Sequence, residues 1–237
     1  MAFNYSPKIV RDSSLVLCLD AANPNSFVSG SAVWRDISKG GNNGTLTNEP
    51  TYNSANGGSI VFDGVDDYVS ITNSSTNLSY GNSDFSVFCW VYVSSFNQYS
   101  AIVGKCDSTA TRTEWSLQIS RQATFRPAFI ATDNISTWAV ELNSPNTLNF
   151  NQWYNIGVSR IGSTFTLYVN GSSVISTNNN ITISSNNLNV EIGRLVGDST
   201  YDFTGRVSNT LIYKNKGLSA SEILQNYNAL KGRYGLR

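Results

Sequence analysis

Gly57-Gly58-Ser59-Ile60-Val61-Phe62-Asp63-Gly64-Val65-Asp66-Asp67-Tyr68-Val69-Ser70-Ile71 reads as two short strands joined by an acidic, glycine-centred turn. Apolar residues alternate on both sides of Asp63-Gly64, and Asp-Gly between alternating runs is a strong local signal for a chain reversal. Outward from this stretch the same grammar repeats. Short apolar or alternating runs predict strands over 15–20, 84–93, 101–105, 114–120, 125–132, 137–142, 153–160, 164–169, 189–194 and 203–213. Asn170-Gly171, between 164–169 and Ser172-Ser173-Val174, predicts a tight hairpin. In 84–93, Phe85, Val87, Cys89, Val91 and Val93 point one way while Phe88, Trp90 and Tyr92 point the other. A strand apolar on both faces belongs in the middle of a sheet, with its second face covered or used.

One helix is predicted near the end of the chain. Ser219 is placed to cap it, Glu222 completes a capping box, Ile223, Leu224, Tyr227 and Leu230 form the apolar stripe, and Gly232 ends it. No linker or internal repeat interrupts the chain after residue 14. The expected organisation is an arm over 1–14 and one all-β domain over 15–237, a sandwich or barrel with one short C-terminal helix.

The wording of the opening stretch also resembles a family. With Leu15-Val16-Leu17-Cys18-Leu19-Asp20-Ala21-Ala22-Asn23 and Gly41-Asn42-Asn43-Gly44-Thr45-Leu46-Thr47-Asn48 upstream, it resembles the laminin-G-like, concanavalin A-like domains. Many of these sit in bacteriophage particle proteins and bacterial surface proteins. Trp153-Tyr154-Asn155-Ile156-Gly157-Val158-Ser159, Leu167-Tyr168-Val169-Asn170-Gly171, Gly205-Arg206-Val207-Ser208 and Leu218-Ser219-Ala220-Ser221-Glu222-Ile223 continue the resemblance over about 15–234. Between sandwich and barrel the resemblance selects an all-β, two-sheet antiparallel jelly-roll sandwich, and it implies fold more firmly than function, because this sandwich carries lectins, hydrolases, adhesins and structural modules.

The 237 residues carry 16 basic and 16 acidic side chains, and charged residues make up 14% of the chain against an average of about a quarter. A neutral chain without a basic run offers no electrostatic footprint for nucleic acid or anionic membrane. Histidine is absent, which excludes Ser-His-Asp and Cys-His catalysis. The glucanases of this fold use a Glu-x-Asp-x-x-Glu run, and none of Glu49, Glu114, Glu141, Glu191 or Glu222 begins one. The expectation is therefore a protein without enzymatic activity and without a cofactor. Asp63, Asp66 and Asp67 offer the hard oxygen ligands calcium takes; the alternative is that they are simply turn residues, and Asp133, Asp198 and Asp202 are weaker candidates. Cys18, Cys89 and Cys106 read as buried thiols, with a Cys18–Cys89 bridge as the alternative.

Among the tryptophans, Trp90 and Trp153 alternate with apolar neighbours and are expected in the core. Trp115 and Trp138 lie in polar surroundings and, with Arg126, Asp133 and the nearby Arg112 and Arg121, form the candidate glycan-binding set. The N-terminus lacks an apolar signal segment, so the expectation is synthesis in a host cytoplasm and a virion location. The leading functional expectation is a virion surface module, a capsid decoration or tail-fibre protein. It would contact other capsid or tail proteins through residues 1–13 and the C-terminal segment 231–237, or pair as a homo-oligomer. The second expectation is a lectin-type module that binds host or environmental polysaccharide.

Overall fold

The computed structural model describes residues 7–73, 78–95, 99–107, 113–119, 125–133, 138–196 and 201–237. Among these, the first half of the chain forms β1 (Leu15–Asp20), β2 (Val33–Trp34), β3 (Gly44–Thr47), β4 (Thr51–Asn53), β5 (Ser59–Asp63) and β6 (Tyr68–Ile71). The long β7 (Phe85–Val93) is followed by β8 (Ser100–Lys105), β9 (Trp115–Ile119), β10 (Pro127–Ala131) and β11 (Val140–Asn143). Then come β12 (Trp153–Ile161), β13 (Thr164–Val169), β14 (Ser172–Asn178), β15 (Val190–Ile192), β16 (Thr204–Lys214) and the helix α1 (Ala220–Leu230).

Two antiparallel sheets result. The first runs β14-β13-β12-β7-β16-β5-β4, with β1 also paired to β16; the second runs β11-β10-β9-β8-β15-β6-β3-β2. We call them the back and front sheets. The long β16 serves two neighbours on one edge, pairing β1 through 209–213 and β5 through 204–207. Between the sheets lies the main core, where Phe85, Val87, Cys89, Val91 and Val93 from β7 meet Val103, Leu117, Phe129, Val69 and Ile192 from the front sheet.

The predicted division of β7 holds, and the structure shows what covers its second face. Phe88 packs with Leu15, Leu211 and Ile223, while Trp90 packs with Trp153, Leu230 and Tyr234. The Trp90 ring stacks on Tyr234 with centroids 4.1 Å apart. A second apolar layer thus glues α1 and the chain ends to the back sheet, and Trp153 belongs to it. In α1, Ser219 and Glu222 form the expected capping box. Leu224 is 46% exposed, against expectation. The buried row is Ile223, Asn226 and Leu230, because Asn226 turns inward to donate to the Tyr213 hydroxyl (3.0 Å) and accept from the Val10 amide (2.7 Å). Gly232 does not end the helical path. A 3-10 turn over Lys231–Tyr234 continues it to Gly235, at φ 70°.

The ends of the chain differ from the expectation of a projecting arm. Residues 8–12 lie on their own domain: Gln225 Nε2 donates to the Lys8 carbonyl (2.7 Å), the Tyr213 hydroxyl to the Val10 carbonyl (2.8 Å), and Lys216 pairs with Asp12 (2.7 Å). The 231–237 segment is tied likewise, by Arg233 to Asp20 (2.7 Å) and by Asn56 Nδ2 to the Arg233 carbonyl (3.0 Å). Residues 1–6 lie outside the described set.

The opening stretch also needs correction. Its two strands are not a hairpin: β5 pairs β16 and β4 in the back sheet, whereas β6 pairs β15 and β3 in the front sheet. The Asp63–Asp67 turn is the corner by which the chain crosses the sandwich, and Ile60 and Phe62 face Val69 and Ile71 across the same core. Gly64 is required there. Its φ is +80°, and a Cβ built on it would stand 1.9 Å from the Thr204 hydroxyl. The Asn170-Gly171 hairpin is as expected, with φ of 51° and 77° at the two turn residues. All three cysteines are free and buried. Cys18 lies in the outer layer and Cys89 in the main core, so opposite faces of the back sheet separate the pair.

Candidate functional site

Antiparallel register decides what the front sheet shows to solvent. In β9, Trp115, Leu117 and Ile119 enter the core, which turns Ser116 and Gln118 to the outer face. Gln118 stands opposite Ala101 of β8 and Ala128 of β10, and Ser116 opposite Gly104 and Ile130. Small neighbours leave a depression over the middle of the sheet. It is lined by Tyr99, Cys106, Asp107, Gln118, Ile130, Trp138, Leu195 and Tyr201, with Thr113 at its end, and encloses about 120 Å3. Tyr99 and Tyr201 stack at one wall, centroids 5.0 Å apart.

The chemistry of this pocket centres on Gln118. It is 1% exposed, and neither its Nε2 nor its Oε1 has a hydrogen-bond partner among the described residues. A buried amide left unpaired costs about 1–3 kcal/mol, so a ligand that satisfies it has free energy to recover. Beside it, burial pushes the Cys106 thiol up to about 12, which leaves it neutral and unreactive. Asp107 is the one carboxylate among the described lining residues. Farther along the same face, Arg194 pairs with Glu191 (2.8 Å) and lies 3.3 Å over the Tyr68 ring.

The four residues singled out from the sequence are not brought together. Trp138 borders the pocket. Trp115 does not: it is fully buried in the core, its indole N–H donates to the Leu78 carbonyl (3.1 Å), and its ring leans on Tyr80. The signal that corrects this is the alternation Trp-Ser-Leu-Gln-Ile, which sends Trp115 inward and Gln118 outward. Arg126 and Asp133, both half-buried, flank opposite ends of β10, so seven residues at about 3.3 Å each hold them roughly 23 Å apart. Arg112, Arg121 and Asp198 lie outside the described residues.

Four of the five glutamates serve the scaffold. Glu114 is buried with Lys105 (2.8 Å), at the core side of the front sheet, and receives Ser79 Oγ and the Asn186 amide. Burial raises its pKa, against the opposing pull of Lys105. Glu191 holds Arg194, Glu222 caps α1, and Glu141 accepts from Asn143. At the crossing corner, oxygens of Asp63, Asp66 and Asp67 lie within 4.8 Å of one another, a set that suits a hard cation. Burial, with the charges of Asp63 and Asp66 adding, pushes Asp67 up to about 6. A wider groove of about 490 Å3, lined by Phe27, Leu46, Pro50 and Tyr52 among others, runs along the rim between β3 and β4. Unlike the front pocket, it holds no buried polar side-chain atom lacking a partner among the described residues.

Residues 63–224 match the family of concanavalin A-like lectins and glucanases, in its laminin G branch. The chain belongs to this family. No curated protein matches it by sequence. Among solved structures, the concanavalin A-like fold recurs in the binding domain of Paraclostridial Mosquitocidal Protein 1, at a TM-score of 0.74 and 17% identity over 94% of this chain. It recurs in domain 4 of AbnA, an extracellular arabinanase of Geobacillus stearothermophilus in complex with arabinotriose, at a TM-score of 0.67 and 16% identity. That alignment spans 90% of this chain and 98% of the arabinanase domain. Trypanosoma rangeli sialidase in complex with sialic acid gives a TM-score of 0.69 and 14% identity over 95% of this chain. The chain spans 55% of the mosquitocidal binding domain and 34% of the sialidase.

Proposed function

We propose that this protein is a carbohydrate-binding module without catalytic activity, and that the outer face of its front sheet is the binding face. The observation that carries this reading is the unpartnered Gln118 amide at the floor of an aromatic-walled pocket, on a sandwich of a lectin and glucanase family. Aromatic rings beside a polar pair suit sugars, whose rings offer C–H faces to stack and hydroxyls to hydrogen-bond. The arabinanase domain, a structural neighbour of the same size, is in complex with arabinotriose, and that supports the ligand class. Glycoside hydrolysis by the retaining route asks for two carboxyls about 5 Å apart. Asp107 lines the pocket without a second acid among the described lining residues, which favours binding over cleavage.

A glycan array with wild type and Trp138→Ala tests the proposal. The expected result is binding to neutral glycans, weakened at least tenfold by loss of the indole, with no new reducing ends on prolonged incubation. Absence of binding across the array overturns the reading, and released sugar overturns its non-catalytic part.

The virion setting implied by the sequence is proposed as the place where such binding acts. Residues 8–12 and 231–236 are held on their own back sheet, so contacts with other capsid or tail proteins through these segments would be made from that side. Mass spectrometry of purified particles decides the setting, and absence of the protein from them refutes it.

A further inference from the structure

We infer that the front pocket admits the vicinal-diol edge of a neutral terminal sugar, with Gln118 holding both hydroxyls. The inference rests on the carbohydrate-binding reading and narrows it to a ligand chemistry and a mode of approach.

Size comes first. The pocket encloses about 120 Å3, room for roughly four waters at about 30 Å3 each. Sites that swallow a whole small molecule start near 300 Å3, so a full sugar ring stays outside. Two adjacent carbons and their two hydroxyl oxygens are four heavy atoms, and that fragment matches the space. A polysaccharide running across the sheet would leave the recess unfilled; a chain end presented edge-on fills it.

Hydrogen-bond polarity comes second. Gln118 offers one acceptor, Oε1, and donors on Nε2, side by side and without partners among the described residues. Each hydroxyl of a diol can donate or accept, so one gives its proton to Oε1 while the other takes one from Nε2. An ionised carboxylate, sulfate or phosphate has no proton for Oε1. The surrounding Ile130, Leu195 and Cys106 then meet the C–H atoms of the ring edge, and Trp138 with the Tyr99–Tyr201 pair forms the rim against the rest of the ring. Gln118 lies within β9, paired on both sides, so its backbone is held by the sheet rather than by a loop.

The test uses an array of neutral oligosaccharides printed in duplicate, one copy treated with periodate and then borohydride to open rings at vicinal diols. Wild type, Gln118→Leu and Trp138→Ala are compared, with circular dichroism verifying the fold of each. Expected is a loss of apparent affinity of at least tenfold for wild type on treated sugars and for Gln118→Leu on untreated ones. In competition, a long polymer should act no better, per mole of chain ends, than its trimer. Undiminished binding to treated sugars, or by Gln118→Leu while Trp138→Ala still loses binding, overturns the diol assignment and leaves the carbohydrate reading standing. Polymer competition that grows with chain length overturns end-on approach. An array without binding overturns both.

Discussion

Replacing Gln118 by leucine should make the protein more stable while it disables the pocket. The side chain is 1% exposed, and both its polar atoms lack partners among the described residues. An orphaned buried amide costs about 1–3 kcal/mol. Leucine is isosteric enough to occupy the same slot between Ala101 and Ala128 and brings apolar surface against Ile130. The balance is a gain on the order of 1 kcal/mol, or a rise in melting temperature of roughly 2–4 °C for a chain of this size. Urea unfolding followed by tryptophan fluorescence reads it, since the m-value should stay constant while the midpoint rises. A loss of about 1 kcal/mol or more refutes the reasoning, because it would show that the amide supports the sheet rather than waiting for a ligand.

Trp115→Ala should cost about 3–5 kcal/mol through cavity formation and an orphaned Leu78 carbonyl; unchanged unfolding together with lost glycan binding would instead put Trp115 on the surface. Asp67 has a folded pKa of about 6, above its unfolded value of 3.8, so its contribution is fully present below about pH 4 and disappears as pH rises through 6. Asp67→Asn should therefore raise stability at pH 7 and flatten thermal stability between pH 4 and 7; an unaltered pH profile rejects this. Calcium added to the same pair tests the corner as a cation site, and a melting shift confined to wild type is the supporting outcome. Arg160 is 1% exposed and donates to the carbonyls of Gly81 (3.0 Å), Gly162 (2.9 Å) and Ile181 (2.8 Å). Arg160→Met should orphan the Gly162 and Ile181 carbonyls, while that of Gly81 keeps the Ile183 amide, and cost on the order of 2–3 kcal/mol in a denaturant titration; a change below about 1 kcal/mol would show that water replaces the guanidinium.

Local signals in the chain proved legible where their cause is local. The two faces of Phe85–Val93, the Asn170-Gly171 reversal and the Ser219–Glu222 cap depend on neighbours within a few residues, and each appears as read. The Asp63–Asp67 turn shows the limit. Alternation on both sides fixes which side chains face the core, but a hairpin and a crossing corner bury the same residues. Only the distant partners, β16 for one strand and β15 for the other, distinguish them. Trp115 follows polar neighbours that suggest exposure, yet the period of two in the strand that follows governs its side and sends it into the core. Gln118 was hidden for a different reason. A glutamine between Leu117 and Ile119 looks like an ordinary outward residue, and its isolation becomes visible only when β8 and β10 close over it with alanines that cannot answer its hydrogen bonds.

Both terminal segments rest against the back sheet, by Trp90, Tyr213 and α1, whereas the recess opens from the opposite broad side. Any anchor, neighbouring subunit or reporter joined at residue 7 or residue 237 therefore attaches behind the sandwich and leaves the proposed binding face unobstructed. Several copies fixed to a common support would all display their recesses outward, so that, on the proposed binding, weak individual contacts would add up to a firm attachment.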